Sequence, residues 1–343
     1  SILSLATALP AHRMAAQAGA DLLASVWPRL RAGTRGGGLG SARFTVEPAA
    51  RLLEERSLGQ SMEAYTRHAL SLGEEAASLA LGRAGLAGGD VDLVISVSCT
   101  GYLVPSLEAR LAGRLGLRPD VIRLPITELG CSGGSAGIAF AHRHLAGWPR
   151  HRVLVLAVEV PSLNFQPGDT SLDNMAASLV FGDGAAAAVM TGGRGEGLSV
   201  ESVASHLVPD SLAVLGYDLR DDGFHVVLDR ALARLVRDSL GPVVDGFRKS
   251  AGIERVDFLA AHGGGPRILE AVEGALGLDP CALAVSRQLF TRIGNVSSAS
   301  ILFALEAMAA SLGEEPAEGL GLGFGPGLSI ELAHLRWAGG RAR

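Results

Sequence analysis

Cys131 closes the run Ile126-Thr127-Glu128-Leu129-Gly130-Cys131-Ser132-Gly133-Gly134, where a strand-like stretch gives way to a helix pattern of small residues. A thiolate is a strong nucleophile, and the N-terminal end of a helix lowers a thiol's pKa. His262 ends a second strand pattern beside three glycines, and Asn295 stands at a second strand-to-helix junction. Cys, His and Asn on three such junctions read as a nucleophile with two polarising partners. Each also has a plainer reading. A buried cysteine is usually an inert small hydrophobe, the expectation for Cys281, and an asparagine there could be only a helix cap.

The elements that must position these residues follow from apolar periodicity. Residues 1–60 read as irregular, with a glycine-rich loop at 31–41. Helix patterns run over 63–83, 106–115 and 133–145, and buried strand patterns over 92–100, 121–127, 153–160 and 185–190. The order then repeats: a strand at 257–262, a helix at 266–276, a short strand at 282–285, a helix at 295–312 and two strands within 319–332. Asp92 to Cys131 is 131 − 92 = 39 positions, and Asp257 to Asn295 is 295 − 257 = 38. This predicts an α/β chain of duplicated halves, residues 1–192 and 193–343, with Cys131 and Asn295 at equivalent places. Small residues after both junctions let two fully covered helices lie close together between two sheets.

Composition narrows the chemistry. The 343 residues carry a formal charge of −5, which argues against a nucleic-acid surface. Lys249 is the one lysine and has no glycine loop before it, which excludes a P-loop and a pyridoxal Schiff base. Cys99, Cys131 and Cys281 are spaced neither for a disulfide framework nor for a metal site, and suit a reducing cytoplasm. No N-terminal signal pattern is visible, and no apolar run reaches a membrane span; the strongest, 153–163, contains Glu159 and Pro161. So apolar a chain predicts a large buried subunit interface, as in a homodimer.

Five motifs occur in one order: Phe181-Gly182-Asp183-Gly184-Ala185 and the Leu129-Gly130-Cys131 run, with His262-Gly263-Gly264-Gly265-Pro266, Gly294-Asn295-Val296-Ser297-Ser298-Ala299 and Gly323-Phe324-Gly325-Pro326-Gly327-Leu328. On these the chain resembles the type III polyketide synthases, the chalcone synthase-like branch of the thiolase fold, in bacterial form. The resemblance implies a five-layered α-β-α-β-α core. It implies an acyltransferase that loads a starter from coenzyme A onto Cys131. The starter is then extended by decarboxylative Claisen condensation with malonyl-CoA and closed to a pyrone or aromatic ring. No cofactor or metal is implied beyond the thioester substrates.

Residue roles follow from the same resemblance. His262 and Asn295 meet the charge that develops on the thioester oxygen, and His262 also serves as a cation beside the sulfur. Phe181 and Phe224 are gatekeepers. Cys99, Asn164, Leu215 and Ser297 line the cavity, together with the Gly325-Pro326 turn. Arg29, Arg31 and Arg35 are candidates for the coenzyme A phosphates. Cys99 and Asn164 stand where plant enzymes commonly have threonine, so the plant product does not carry over. A ketoacyl synthase III would share the Cys-His-Asn chemistry but usually lacks the Gly-Phe-Gly-Pro-Gly ending. A cysteine hydrolase of nucleophile-elbow type leaves Asn295 and the duplication unexplained. A silent scaffold would have lost one of the three groups.

Overall fold

The computed structural model describes residues 1–28, 42–193 and 195–340. The first half runs β1 (Ile2–Ala8), β2 (His12–Met14), α1 (Ala16–Val26), β3 (Arg43–Thr45), α2 (Ala49–Leu52), α3 (Leu58–Arg83), β4 (Leu93–Val97), α4 (Leu107–Leu115), β5 (Ile122–Ile126), α5 (Gly133–Gly147), β6 (Arg152–Glu159), α6 (Leu172–Val180) and β7 (Gly184–Thr191). The second runs β8 (Leu198–Leu207), β9 (Leu215–Arg220), β10 (Gly223–Leu228), α7 (Leu232–Ala251), β11 (Phe258–Ala261), α8 (Pro266–Leu276), α9 (Ala284–Ile293), α10 (Ser300–Ser311), β12 (Ala317–Gly325) and β13 (Ser329–Trp337).

One sheet has the order β1-β7-β6-β4-β5 and the other β8-β13-β12-β11. In each, the outermost pair is antiparallel, the next pair is antiparallel, and then parallel strands follow. The two sheets therefore share one connectivity, and among the described residues the second has no counterpart of β5. α5 packs on β4 and β6 of the first sheet and on β8, β12 and β13 of the second. α10 likewise reaches β1 and β7 on one side and β11 and β12 on the other. α10 is apolar on nearly every side, Glu306 excepted, and both its faces are covered. With α3 and α4 outside the first sheet and α7 and α8 outside the second, the layers run α-β-α-β-α, the thiolase-like architecture.

The central helices approach closely because their facing residues are small. A side chain at Gly134 would overlap the Ser298 carbonyl, and one at Gly137 would press on Val155 and Val97.

Three expectations are corrected. The described residues among the first 60 are not irregular: β1 is an edge strand of the first sheet. Its inward positions are Ile2, Ser4, Ala6 and Ala8 while Leu3 faces out, so small and polar residues conceal the alternation. Residues 282–285 form no strand. Asp279 caps the Cys281 N–H with Pro280 at the first helical position, and the chain turns through Pro280–Leu283 into α9. Cys131 and Asn295 are also not strict equivalents. Cys131 lies two positions before α5 (133 − 131 = 2), as Ser298 does before α10 (300 − 298 = 2), whereas Asn295 lies five before (300 − 295 = 5). Arg29, Arg31 and Arg35 fall outside the described residues.

Candidate active site

Cys131 occupies the middle of a 3-10 turn, Gly130–Ser132, that leads directly into α5. Two glycines, one in the turn and one late in the chain, let the segments fit. Gly130 has φ +52°, and a Cβ there would overlap the Pro326 ring; a Cβ at Gly325 would overlap the Ser132 hydroxyl. The Gly325-Pro326 turn is thus part of the nucleophile's housing, and Ser132 Oγ also meets Ser329 Oγ at 3.0 Å. Leu215 touches the same turn through its backbone, its carbonyl accepting from Gly327 N at 3.2 Å.

Above this turn sits Ser297, at the start of the turn before α10, with φ +46°. L-residues other than Gly and Asn rarely hold that conformation. It places the Ser297 hydroxyl 3.2 Å from Cys131 Sγ and 3.2 Å from Cys99 Sγ. Asn295 is buried. Its side-chain oxygen accepts from Ser297 N at 2.8 Å and Ser300 Oγ at 3.3 Å, which assigns the amide orientation and leaves the NH2 group as the available donor. Its backbone pairs with α6's end: Asn295 N bonds Val180 O at 2.9 Å and Gly182 N bonds Asn295 O at 3.0 Å. That pairing sets Phe181 alongside Asn295.

His262 directly follows β11, its N–H held by Leu322 O at 2.8 Å. The next residue, Gly263, lines a minute cavity with Gly294 and Ser300, so the histidine and asparagine segments adjoin. His262 is 3 % exposed and its Nδ1 has no partner. Burial pulls the imidazole down to about 4. Burial therefore disfavours the imidazolium form, against the expectation of a standing cation beside the sulfur. Burial also pushes the Cys131 thiol up to about 12, against the Ser297 hydroxyl and the residue's own backbone N–H, which favour the thiolate. The start of α5 adds the positive end of a helix on that side.

Phe181 and Asn164 share the wall of a cavity of about 70 Å³ with Tyr217 and Val226. Cys131, His262 and Asn295 are not in that wall. Burial, and after it the charges of Cys99, Cys131 and Glu159, raise the pKa of the Tyr217 hydroxyl. Phe224 meets the Tyr217 ring edge-on at 5.7 Å. The Asn164 NH2 donates to Thr100 O at 2.9 Å.

Two participants are absent from the sequence reading. Tyr217 lies in an exposed-looking hairpin and carries no local signal. Glu159 had one: it is a carboxylate at the end of the apolar run 153–160. Fully buried, it accepts from Thr100 Oγ1 at 2.7 Å, from Cys99 N at 3.2 Å and from Ser298 Oγ, so it ties β4, β6 and the α10 turn together. Burial raises its pKa and these donors oppose the rise. Among the described residues no group of three or more His, Cys, Asp or Glu could hold a metal, and no helix is long and apolar enough to cross a membrane.

A five-layered fold with a cysteine at a helix start, a buried histidine and an asparagine whose amide NH2 is left free is the pattern of a thiolase-type condensing enzyme. Residues 43–194 match the family model of the chalcone and stilbene synthase N-terminal domain, and residues 199–337 that of the C-terminal domain. The chain is 38 % identical to 1,3,6,8-tetrahydroxynaphthalene synthase of Streptomyces peucetius subsp. caesius, over 98 % of this chain and 93 % of that one. It is 31 % identical to phloroglucinol synthase of Pseudomonas fluorescens, over 86 % and 85 %. Among solved structures it superposes on the tetrahydroxynaphthalene synthase of Streptomyces coelicolor A3(2) with TM-score 0.94 at 32 % identity, covering all of both chains. It superposes on germicidin synthase of the same species with TM-score 0.90 at 25 % identity, covering 98 % of each. The chain belongs to the chalcone and stilbene synthase family, and is a type III polyketide synthase, an acyltransferase.

Proposed function

We propose that the protein builds a poly-β-keto chain from malonyl-CoA on Cys131 and closes it to an aromatic or pyrone product. The Cys131 sulfur attacks the starter thioester, its proton passes to the neutral His262, and coenzyme A leaves with a proton. Malonyl-CoA then loses carbon dioxide, and negative charge appears on its thioester oxygen. The His262 N–H and the Asn295 amide N–H donate to that oxygen without ionising. The enolate carbon attacks the Cys131-bound acyl carbonyl, the sulfur leaves, and the lengthened chain returns to it for the next round. Carbon balances at two gained per malonyl unit and one lost as carbon dioxide.

The observation that carries this reading is the committed amide of Asn295. Its oxygen is consumed by Ser297 and Ser300, so only its donor face is free. Phe181 and Phe224 screen the chamber from water, and Cys99, Asn164, Leu215 and Ser297 shape the chain within it. Arg29, Arg31 and Arg35 remain the candidates for the coenzyme A phosphates, and the thioesters need no further cofactor. The relatives named for tetrahydroxynaphthalene and phloroglucinol favour malonyl units throughout and an aromatic product.

The working form we assign is a cytoplasmic homodimer, each chain made of halves 1–192 and 193–343. β5 is an edge strand, paired with β4 on one side only; its Ile122 is exposed, and it borders a groove of about 530 Å³ near exposed Tyr102 and Val104. The three free thiols suit a reducing compartment.

Incubation with labelled malonyl-CoA and a panel of acyl-CoA starters, followed by intact mass, tests the chemistry. The enzyme should carry acyl mass and release cyclised polyketide, and Cys131→Ala should carry none. An acyl adduct persisting on Cys131→Ala, or free acid as the sole product of the parent enzyme, overturns the reading.

A further inference from the structure

The β9–β10 hairpin is an isolated two-stranded ribbon joined to neither large sheet. Such ribbons are marginal alone and need outside anchors. Its register pairs Val226 with Tyr217, Phe224 with Leu219 and His225 with Asp218. Directly opposed residues share a face, and successive residues alternate. Tyr217, Phe224 and Val226 therefore lie on one face, which supplies Tyr217 and Val226 to the cavity. His225 lies on the other.

His225 is 7 % exposed, and each ring nitrogen faces a carboxylate. Nε2 is 2.9 Å from Asp222 Oδ1, within the hairpin's own turn, and Nδ1 is 3.3 Å from Asp169 Oδ2, in the segment between Asn164 and α6. Arg220 Nη1 stands 3.4 Å from the same Nδ1 and its Nη2 bonds Asp218 Oδ2 at 3.3 Å. An Nδ1–H selects Asp169 and anchors the hairpin to its neighbour, whereas a bare Nδ1 selects Arg220 and stays within the hairpin. Two further ties run alongside: Gln166 Nε2 donates to Asp222 O at 3.3 Å, and Leu228 N to Asp173 Oδ2 at 2.9 Å. The carboxyl of Asp222 is held below its ordinary range first by the His225 hydrogen bond. At Asp169 burial acts upward, and bonds from Ser171 and His225 outweigh it.

We infer that His225 is a positioning residue: through Asp169 it latches the hairpin, and with it Tyr217 and Phe224, against the segment that carries Asn164, and so sets how far a growing chain proceeds before release. The inference rests on the condensing activity proposed above. His225 touches no reacting atom, so its loss leaves loading at Cys131 intact. It loosens a wall of the chamber, and short lactones and free acids then escape or hydrolyse before the chain is complete.

The test compares the parent with His225→Ala, His225→Gln, Asp169→Asn and the His225→Ala/Asp169→Asn double variant. Three readouts are taken: acyl mass on Cys131, melting temperature, and the ratio of full-length cyclised product to short lactone plus free acid. In His225→Ala the ratio should fall roughly tenfold, the scale of one or two lost hydrogen bonds, with acyl loading unchanged. Asp169→Asn should lower the ratio in the same direction with the imidazole still in place. His225→Gln, which keeps one amide donor, should recover part of it, and the double variant should be no worse than His225→Ala. An unchanged ratio in His225→Ala or Asp169→Asn overturns the latch. So does a fall in loading and melting temperature that simply tracks the product loss in every variant. If the parent itself neither loads nor condenses, the functional reading fails; if it does both and the ratio holds, only the latch fails.

Discussion

In the proposed reaction Asn295 and His262 both donate to the developing oxyanion. Asn295 spends its oxygen on the turn that presents Ser297 and leaves its nitrogen free for that role. Asn295→Asp should therefore preserve the turn, since a carboxylate accepts the same two bonds, while removing the donor. Malonyl-CoA decarboxylation should drop on the order of a hundredfold or more, the usual scale for one oxyanion donor, with the melting temperature little changed. An unaltered decarboxylation rate refutes the donor role. His262 carries a pH signature. Its imidazole is down at about 4 in the folded chain against an ordinary 6.5. Between these values the unfolded chain binds the extra proton, so stability rises with pH across that window and is lost on acidification. Relative to His262→Gln, the parent should lose about 3 kcal/mol between pH 6.5 and 4, at 1.36 kcal/mol per unit. Urea titrations of both proteins at several pH values measure this, and parallel curves would show that the imidazole is not buried neutral.

The two central helices meet through glycine and serine where most helix pairs use larger side chains. Gly134 faces the Ser298 carbonyl so closely that a methyl group has no room, and backbone does not rotate aside as a side chain would. Gly134→Ala should force apart the turns bearing Cys131 and Ser297, at about 1 to 3 kcal/mol in stability and with a clear loss of loading rate. Gly147→Ala, at the far end of the same helix with nothing within 4 Å of the new carbon, is the control. It should gain about 0.5 to 1 kcal/mol. Denaturant midpoints and acylation rates decide; equal behaviour of the two variants would mean the contact is not tight. Most elements at this scale are legible in sequence because apolar runs and glycine breaks are local. β1 is not, because buried serine and alanine carry no hydrophobic signal. The 280–293 segment misleads because its apolar residues suit a strand while Asp279-Pro280 starts a helical turn.

For the whole molecule, two sheets of matching connectivity leave one asymmetry. The first sheet ends on β5, with Ile122 half exposed, and Val104 stands 74 % exposed near the same groove. An edge strand with apolar neighbours calls for a cover. The proposed cover is a second copy. Val104→Asp with Ile122→Asp should shift sedimentation from dimer to monomer at micromolar concentration while the single-chain fold persists by circular dichroism. A dimer that survives both charges places the interface elsewhere.

Residue order and local pattern suffice to single out Cys131, His262 and Asn295, because each terminates an element and glycines mark the terminations. They also suffice for the layered α/β architecture, since buried strands and all-apolar helices can be satisfied only by covering both faces. Folding in three dimensions decides the rest. It brings Ser297 between two sulfurs 198 and 166 positions away in the chain, ties Glu159 to the Cys99 backbone and to Ser298, puts Tyr217 in one cavity wall with Phe181 and Asn164, and buries His262. Each of these depends on contacts between remote segments and on the removal of water, and neither leaves a mark on neighbouring residues in a sequence.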